Sequence, residues 1–307
     1  MKKILILLFT LIVHLLNAEI AMNDSLPNID YAKLSFGENK TLEIVTWNIQ
    51  NFPKKGDISV DYTANIILSI DADIYCLQEI ESDSAFVILV EKLNQEDKKN
   101  RWKGFRADTD EWKMNLAYIY KDNVTKKEKF YEIFYENNDE NHYAFPRHPL
   151  IMEFKYKWRK IIIINNHLKA KGKEKDRKRR IAAINRLDKY IKANFDKNNV
   201  IVLGDMNDQI ADEREKNVFL QVLDKPEEYK FADEKIAAYT TANWSYPYWK
   251  YRGHLDHIFI SNELFDEFSH KTSDIQTITI DKFMDGGGDA RYKYITDHRP
   301  VALKLKF

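Results

Sequence analysis

The chain has 307 residues, of which 48 are basic and 48 acidic, and a single cysteine. The length suits one large α/β domain. The balanced charge excludes a globally basic footprint, so any polyanion must be met by a local patch. The lone Cys76 excludes an intramolecular disulfide framework.

Residues 1–18, "MKKILILLFTLIVHLLNA", set Lys2 and Lys3 before an apolar run that ends at Leu16. That is the layout of a signal peptide, with Ala18 as the small residue at the cleavage point. A retained anchor is the rival, but the run is short for a span of ~20 residues and His14 interrupts it. Leu16 at the −3 position is not small, which leaves the cut site open. Export to a secreted or periplasmic location is the expectation. Cleavage removes Lys2 and Lys3, leaving 46 basic residues against 48 acidic and a net charge of −2. A monomer without stable membrane association is expected.

Residues 19–41 are polar, with Pro27 and Gly37, and read as a leader before a domain at 42–307. Strand-like runs follow in chain order: "LEIVTWNI", "DIYCLQE", "NLAYIYK", "LIMEFKYK", "KIIIINNHL", "NVIVLGD", "HLDHIFIS" and "RPVALKLKF". They are rich in Val, Ile, Tyr and Phe, and turn residues bound most of them. Helices are expected near 60–70 and 83–94. The clearest spans 174–195, where Ile181, Ile184, Leu187, Ile191 and Phe195 recur at three- and four-residue steps. Strands at both ends with helices between them predict layered sheets covered by helices. "DGGGDARYK", 285–293, reads as a mobile loop because its glycines have much conformational entropy to lose. Cys76 falls inside a strand run, where a free cysteine behaves as a small hydrophobe.

The chemistry gathers where apolar runs end. Asn48 closes the first run, Glu79 the second, and His167 follows "IIIINN". Asp205 and Asn207 follow "NVIVLG", Asp256 opens "DHIFIS", and Asp297 with His298 precedes the last run. Each alone has an ordinary explanation as a turn, a cap or a strand exit, since short motifs specify a role loosely. Together they could project from one sheet rim into one cleft. Their types suit phosphoester hydrolysis, which needs a divalent cation, a base for water, and donors for the developing charge. Glu79 is a metal-type carboxylate, and Asp205 with Asn207 can hold and deprotonate a water. His167 and His298 can donate to phosphoryl oxygens, with a buried Asp orienting one imidazole. Clusters with zinc spacing are absent from the sequence, so an oxygen-ligated Mg²⁺ fits best, with Mn²⁺ or Ca²⁺ as alternatives.

"TWNIQNF", "LQEIE", "NNHLKAKG", "VLGDMND", "LDHIFIS" and "TDHRPVAL" resemble, in order and spacing, the endonuclease/exonuclease/phosphatase superfamily typified by deoxyribonuclease I. The resemblance covers residues 42–307. It implies a four-layer α/β/β/α sandwich with the active site at the sheet rim. It also implies that Asn48, Glu79 and Asp297 contact the metal and that Asp205 and Asn207 position water and phosphate. His298 would pair with Asp256, and His167 would be the second histidine on the phosphate. One departure stands out. Deoxyribonuclease I-type members carry a Glu just before the strand that here reads "NLAYIYK", and it pairs with the second histidine. The segment "EWKMN" displaces Glu111 by several residues from that place.

The family includes nucleases, sugar and inositol phosphatases, and sphingomyelinases, so the fold does not name the substrate. Residues 169–180, "KAKGKEKDRKRR", carry eight basic residues and two acids directly after His167. Lys169 and Lys171 are candidates for substrate phosphates, although such a run is commonly a solvated face. Arg147 in "FPRHPLI" resembles an Arg-x-Pro segment of the nuclease branch. The aromatic stretch 243–254, "NWSYPYWKYRGH", could stack on bases or pack beneath a loop. Lys250 and Arg252 within it favour nucleic acid over a lipid surface. The expectation is a metal-dependent phosphodiesterase, an endonuclease on DNA or RNA. A lipid or inositol phosphate substrate, or a non-catalytic binding protein of the same fold, is the alternative.

Overall fold

The structure is a computed structural model, and it describes residues 26–108, 114–135, 139–248 and 251–307. The signal-like segment 1–18 and Glu111 lie outside the described residues, as do Trp249 and Lys250.

Two six-stranded mixed sheets carry the fold. The first runs β13(Asp274–Thr277), β14(Val301–Leu305), β1(Leu42–Phe52), β2(Ile74–Ile80), β4(Asn115–Lys121), β3(Trp102–Arg106). The second runs β5(Lys126–Glu132), β6(Leu150–Tyr156), β7(Arg159–His167), β8(Asn199–Asp205), β12(Asp256–Ser261), β9(Tyr229–Phe231). A small hairpin, β10(Tyr246–Tyr248) and β11(Tyr251–Gly253), stands apart from both. Helices α1(Asp57–Ile70) and α2(Asp83–Glu96) cover the first sheet. Helices α3(Asp139–Ala144) and α4(Glu174–Asn194) pack against the second, giving the α/β/β/α order.

Strand alternation explains why runs such as "KIIIINNHL" are apolar throughout. Ile161 and Ile163 of β7 face the other sheet, while Ile162 and Ile164 face α4. β1 divides the same way, with Leu42 and Ile44 inward and Val45, Trp47 and Ile49 towards the helices. A strand buried on both faces has no polar side to show.

Each sheet contains one parallel pair, β1/β2 and β7/β8. A parallel pair needs a crossover, here α1 for the first and α4 for the second. The two pairs point their carboxyl ends at the same rim, where open α/β sheets bind their ligands. Gly204, just before that rim in β8, has φ +139°, and a Cβ there would sit 1.9 Å from the carbonyl oxygen of Asn166. Only glycine lets β8 lie this close to β7.

Several details depart from expectation. Residues 285–293 are no loop: Gly287–Tyr294 form α5, which starts after Gly286 at φ +74°. The buried Arg291 locks this helix by donating to the carbonyls of Thr296 (2.9 Å) and His298 (2.6 Å). The polar stretch before Leu42 also packs onto the body, with Ile29, Leu34 and Phe36 buried beside α1 and α2. Strands β3, β5, β9 and β13, absent from the sequence reading, are the four sheet edges. Edge strands carry charge in place of an apolar run, as "KKEKFYE" in β5 illustrates.

Gly204→Ala should therefore lower unfolding stability by ~3 kcal/mol through overpacking and backbone strain. Denaturant unfolding followed by circular dichroism checks this, and a wild-type midpoint would contradict the close approach.

Candidate active site

The strand parity that builds the inter-sheet core also delivers the polar residues. Ile201 and Leu203 of β8 face inward, so Asp205, one more step along, faces inward too. Ile258 and Ile260 place Asp256 of β12, Ile161 and Ile163 place His167, and Leu42 and Ile44 place Asn48. Beneath these lies a buried polar seam. Gln78 Nε2 donates to Asn165 Oδ1 of the opposite sheet at 2.7 Å and to Thr46 Oγ1 at 3.1 Å.

Glu79 breaks the parity. Ile74 and Cys76 face inward, so residue 79 should face the helices. The backbone at Glu79 has φ +65°, and the β2 register shifts on both sides of it. Such an irregularity re-aims a side chain. Gln50 and Asn51 opposite are also left-handed, at φ +33° and +52°. Left-handed backbone outside glycine is uncommon and gathers at functional sites.

The result is one hydrogen-bonded cluster. Asn48 Nδ2 donates to Glu79 Oε1 (2.9 Å) and, across the sheets, to Asp205 Oδ2 (3.0 Å). The backbone N–H of Gln50 donates to Asn48 Oδ1 (3.0 Å), and Gln50 Nε2 donates to Asp297 Oδ2 (2.9 Å). The Asn51 N–H donates to Glu79 Oε2 (3.1 Å). Asp205 Oδ1 accepts from the Asn207 N–H at 3.0 Å, with Asn207 at φ +54°. His298 Nδ1 is 2.7 Å from Asp256 Oδ2, and its Nε2 stands 3.7 Å from Asp205 and 3.9 Å from Asp297. His167 Nε2 lies 3.4 Å from Asp205 and 3.9 Å from Glu79.

These groups surround an open cleft of about 710 Å³. Glu79, Arg147, His167, Lys169, Lys171, Asp205, Asn207, Asp297 and His298 line it. Asn48 and Asp256 are buried below and act on those lining residues. Arg147 donates to the Leu168 carbonyl at 3.4 Å, Lys169 is half-buried 3.7 Å from Asp176, and Lys171 is exposed. Asn48 turns its amide nitrogen to both carboxylates, so here it bridges them and its oxygen faces the Gln50 N–H. Glu79 and Asp297 put carboxylate oxygens on the cleft. Such hard oxygen donors suit Mg²⁺, Mn²⁺ or Ca²⁺.

Electrostatics divides the two histidines. Burial would lower His298, but the carboxylates of Asp256 and then Asp205 outweigh it and push it up to about 10. Burial drives His167 well below the ordinary histidine value, and the positive charges of Arg147 and His298 add to the effect. His298 is therefore a cation at neutral pH and His167 is neutral. Burial also raises Asp205 to about 7, against the pull of His298. His167 Nδ1 has no hydrogen-bond partner among the described residues.

Sequence reasoning missed Gln50 and Asn51. The polar run "NIQN" near the end of β1 carried both as a signal. Tyr246 lines the cleft with its ring 4.8 Å from that of His298. Within the aromatic stretch, Trp244 is buried with the Arg299 guanidinium 3.1 Å from its ring centre, so it packs and offers no stacking face. Arg180 of the basic run is buried too, with Nε donating to Asp208 Oδ2 at 2.8 Å. Cys76 is buried, and burial pushes its thiol well above the usual range.

Two sheets, capped by helices and closed at one rim by carboxylates, amides and two histidines, define an α/β phosphoester-hydrolase sandwich. The chain belongs to the endonuclease/exonuclease/phosphatase family, whose model matches residues 45–298. Similar folds include the human Nocturnin catalytic domain with bound sulfate, at 18% identity and TM-score 0.61, over 91% of this chain and 100% of that one. A humanized zebrafish (D. rerio) TDP2 matches at 15% identity and TM-score 0.60, over 87% and 99% of the two chains. An endonuclease/exonuclease/phosphatase from Bacteroides vulgatus matches at 15% and 0.59, over 88% and 100%. No curated protein sequence matches the chain.

The His298 imidazole C–H resonance should hold its protonated position from about pH 6 to 8.5 and move only as pH nears 10. Because its pKa is raised, the pair stabilises the fold fully below the unfolded value of ~6.5, and this stability is lost as pH rises through about 10. Asp256→Asn should bring the titration down by at least ~1 unit. An unshifted titration in that variant would separate His298 from Asp256.

Proposed function

We propose that this chain is a divalent-metal-dependent phosphodiesterase, and that it acts as an endonuclease on DNA or RNA. The observation that carries the reading is the pairing of a charged His298 with oxygen donors across one cleft. Glu79 and Asp297 would hold the cation, which supplies charge neutralisation for phosphoryl oxygens. Asp205, poised about 7, would take a proton from an attacking water, since a base works best near the operating pH. Asn207 would orient that water and a phosphoryl oxygen. As the water oxygen bonds to phosphorus, the bond to the departing alcohol breaks. The His298 imidazolium faces the cleft beside Asp205 and would donate to the charge that develops. His167, neutral, would serve as a second donor.

Nucleic acid is favoured over lipid by the exposed Lys171, Lys173, Lys175 and Lys178, which follow the cleft. One zebrafish TDP2 structure of this fold, at 16% identity, is complexed with a single-strand DNA product. Among the described residues, no helix is long and apolar enough to cross a membrane. We further read residues 1–18 as a cleaved signal peptide that exports the protein. N-terminal sequencing of the protein from its native host checks that: a start at Met1 contradicts it.

The purified protein with Mg²⁺ should cut plasmid DNA or RNA, lose activity to a chelator, and leave sphingomyelin and inositol phosphates intact. Hydrolysis of the last two alone would move the substrate to lipid or sugar phosphates. Glu79→Gln should raise the metal concentration needed for half-maximal rate at least tenfold, and His298→Ala should lower kcat by ~10²–10⁴. Normal kcat in His298→Ala would remove the catalytic reading.

Neutralising Lys173, Lys175 and Lys178 together should flatten the salt dependence of nucleic-acid binding. Hydrolysis of bis(p-nitrophenyl) phosphate should stay near wild type. An unchanged salt slope would make this face a solvated surface only. Arg180 is left in place because it is buried.

A further inference from the structure

Behind the Asp205–Asp208 turn lies a second buried acid–imidazole pair. His257 and Asp233 are both fully buried, His257 next to Asp256 in β12 and Asp233 two residues after β9. His257 Nδ1 stands 2.6 Å from Asp233 Oδ2, while Asp233 Oδ1 accepts the Ile258 N–H at 2.9 Å. His257 Nε2 is 2.8 Å from the carbonyl oxygen of Asp208. The rings of Phe219 and Phe231 pack edge-on against the imidazole at 5.3 and 5.9 Å.

The partners fix the protonation. A carbonyl oxygen only accepts, so Nε2 carries a proton. The carboxylate beside Nδ1 accepts as well, so the ring is an imidazolium paired with an ionised acid. Burial opposes this charge, but Asp233 raises His257 above the ordinary value and is itself held below the usual carboxylate range by His257 and His254. The titratable groups facing His257 are Asp233, its chain neighbour Asp256, and His254, whose Nε2 is 3.2 Å from Asp233 Oδ2.

We propose that His257 and Asp233 are positioning residues for the hydrolytic turn, with the His257 imidazolium gripping the Asp208 carbonyl and so fixing Asn207 against the cleft. The proposal rests on the phosphodiesterase reading for its kinetic arm. The turn is held at its first end by strand pairing, since Asp205 lies opposite both His167 and Asp256. Its far end has left the sheet. There the Asp208 side chain is held by Arg180 and its carbonyl by His257. Asn207 sits between them in a left-handed conformation, its Nδ2 donating to the Leu168 carbonyl at 3.2 Å, so where it faces the cleft depends on both ends of the turn. Misplacing a reacting group by ~1 Å can cost 10² in rate.

Two double variants isolate the donor bond, because each removes the charge pair and leaves no unpaired buried ion. Asp233→Asn with His257→Gln keeps an N–H able to reach the Asp208 carbonyl. Asp233→Asn with His257→Leu has none. With bis(p-nitrophenyl) phosphate and Mg²⁺, the Leu version should lose about 30-fold in kcat with KM within about threefold. The Gln version should recover most of the loss. Equal kcat in the two overturns the proposal.

Two readouts are independent of activity. In the unaltered protein, ¹⁵N NMR should show both His257 ring nitrogens protonated at pH 7, and a bare Nε2 overturns the proposal. Amide exchange at Met206 to Gln209 should be faster in the Leu version than in the Gln version, and equal exchange also overturns it. If the unaltered protein fails to hydrolyse the diester, the phosphodiesterase reading falls, while these two measurements still decide whether the turn is clamped.

Discussion

The rim is organised around one buried carboxylate. Asp205 ends β8, and its backbone lies opposite His167 on one side and Asp256 on the other. Its side chain receives Asn48 from the opposite sheet and the Asn207 N–H from its own turn. A carboxylate taken out of water is costly unless hydrogen-bonded and paired. Its surroundings therefore have to supply donors, and the cationic His298 3.7 Å away is the nearest compensating charge. The inward placement of His298 follows, because a second buried acid, Asp256, and then Asp205 keep that imidazole charged away from water. A chain of alternating charges, Asp256, His298 and Asp205, thus crosses the seam between the sheets.

That chain depends on the β-layers in a simple way. The inner face of the second sheet is apolar up to Ile163, Leu203 and Ile258, and polar one strand step further. The Gln78–Asn165 bond marks the boundary and ties the sheets together below the cleft. A buried bond between side chains of the two sheets is strong in this low-dielectric setting and favours one relative placement of the sheets. The position of the acids is then set by register, and Gly204 lets β8 approach β7 closely enough to hold that register.

Much of this was legible in the sequence because it follows period two. The central strands, the crossover helices and the inward polar residues Asn48, His167, Asp205 and Asp256 all lie on apolar–polar boundaries that can be counted. What could not be counted was departure from the period. Glu79 reaches the cleft through a left-handed residue in β2, and Gln50 with Asn51 through a left-handed turn. The four edge strands lack an apolar run, since their outer sides meet water. Long-range packing hid the rest. Arg180 and Arg291 read as surface charges or loop residues, yet each is buried with partners that sequence proximity does not reveal. Trp244 read as a possible stacking face but is covered by Arg299, 55 residues away.

The two cleft histidines show how one fold sets opposite charge states with the same side chain. Both are almost fully buried, so desolvation pushes each towards the neutral form. His298 has Asp256 at hydrogen-bond distance and Asp205 beyond, and the attraction exceeds the desolvation. His167 lies 3.4 Å from Asp205, but Arg147 and the charged His298 act against it. Its neutrality is thus partly a consequence of the charge on His298. The same coupling reaches Asp205, which would be protonated more strongly without that neighbouring cation. Three groups facing one cleft are therefore held as a cation, a neutral donor and a carboxyl poised near neutrality. The order among them is set by Asp256, the acid that lies beneath the cleft and lines none of it.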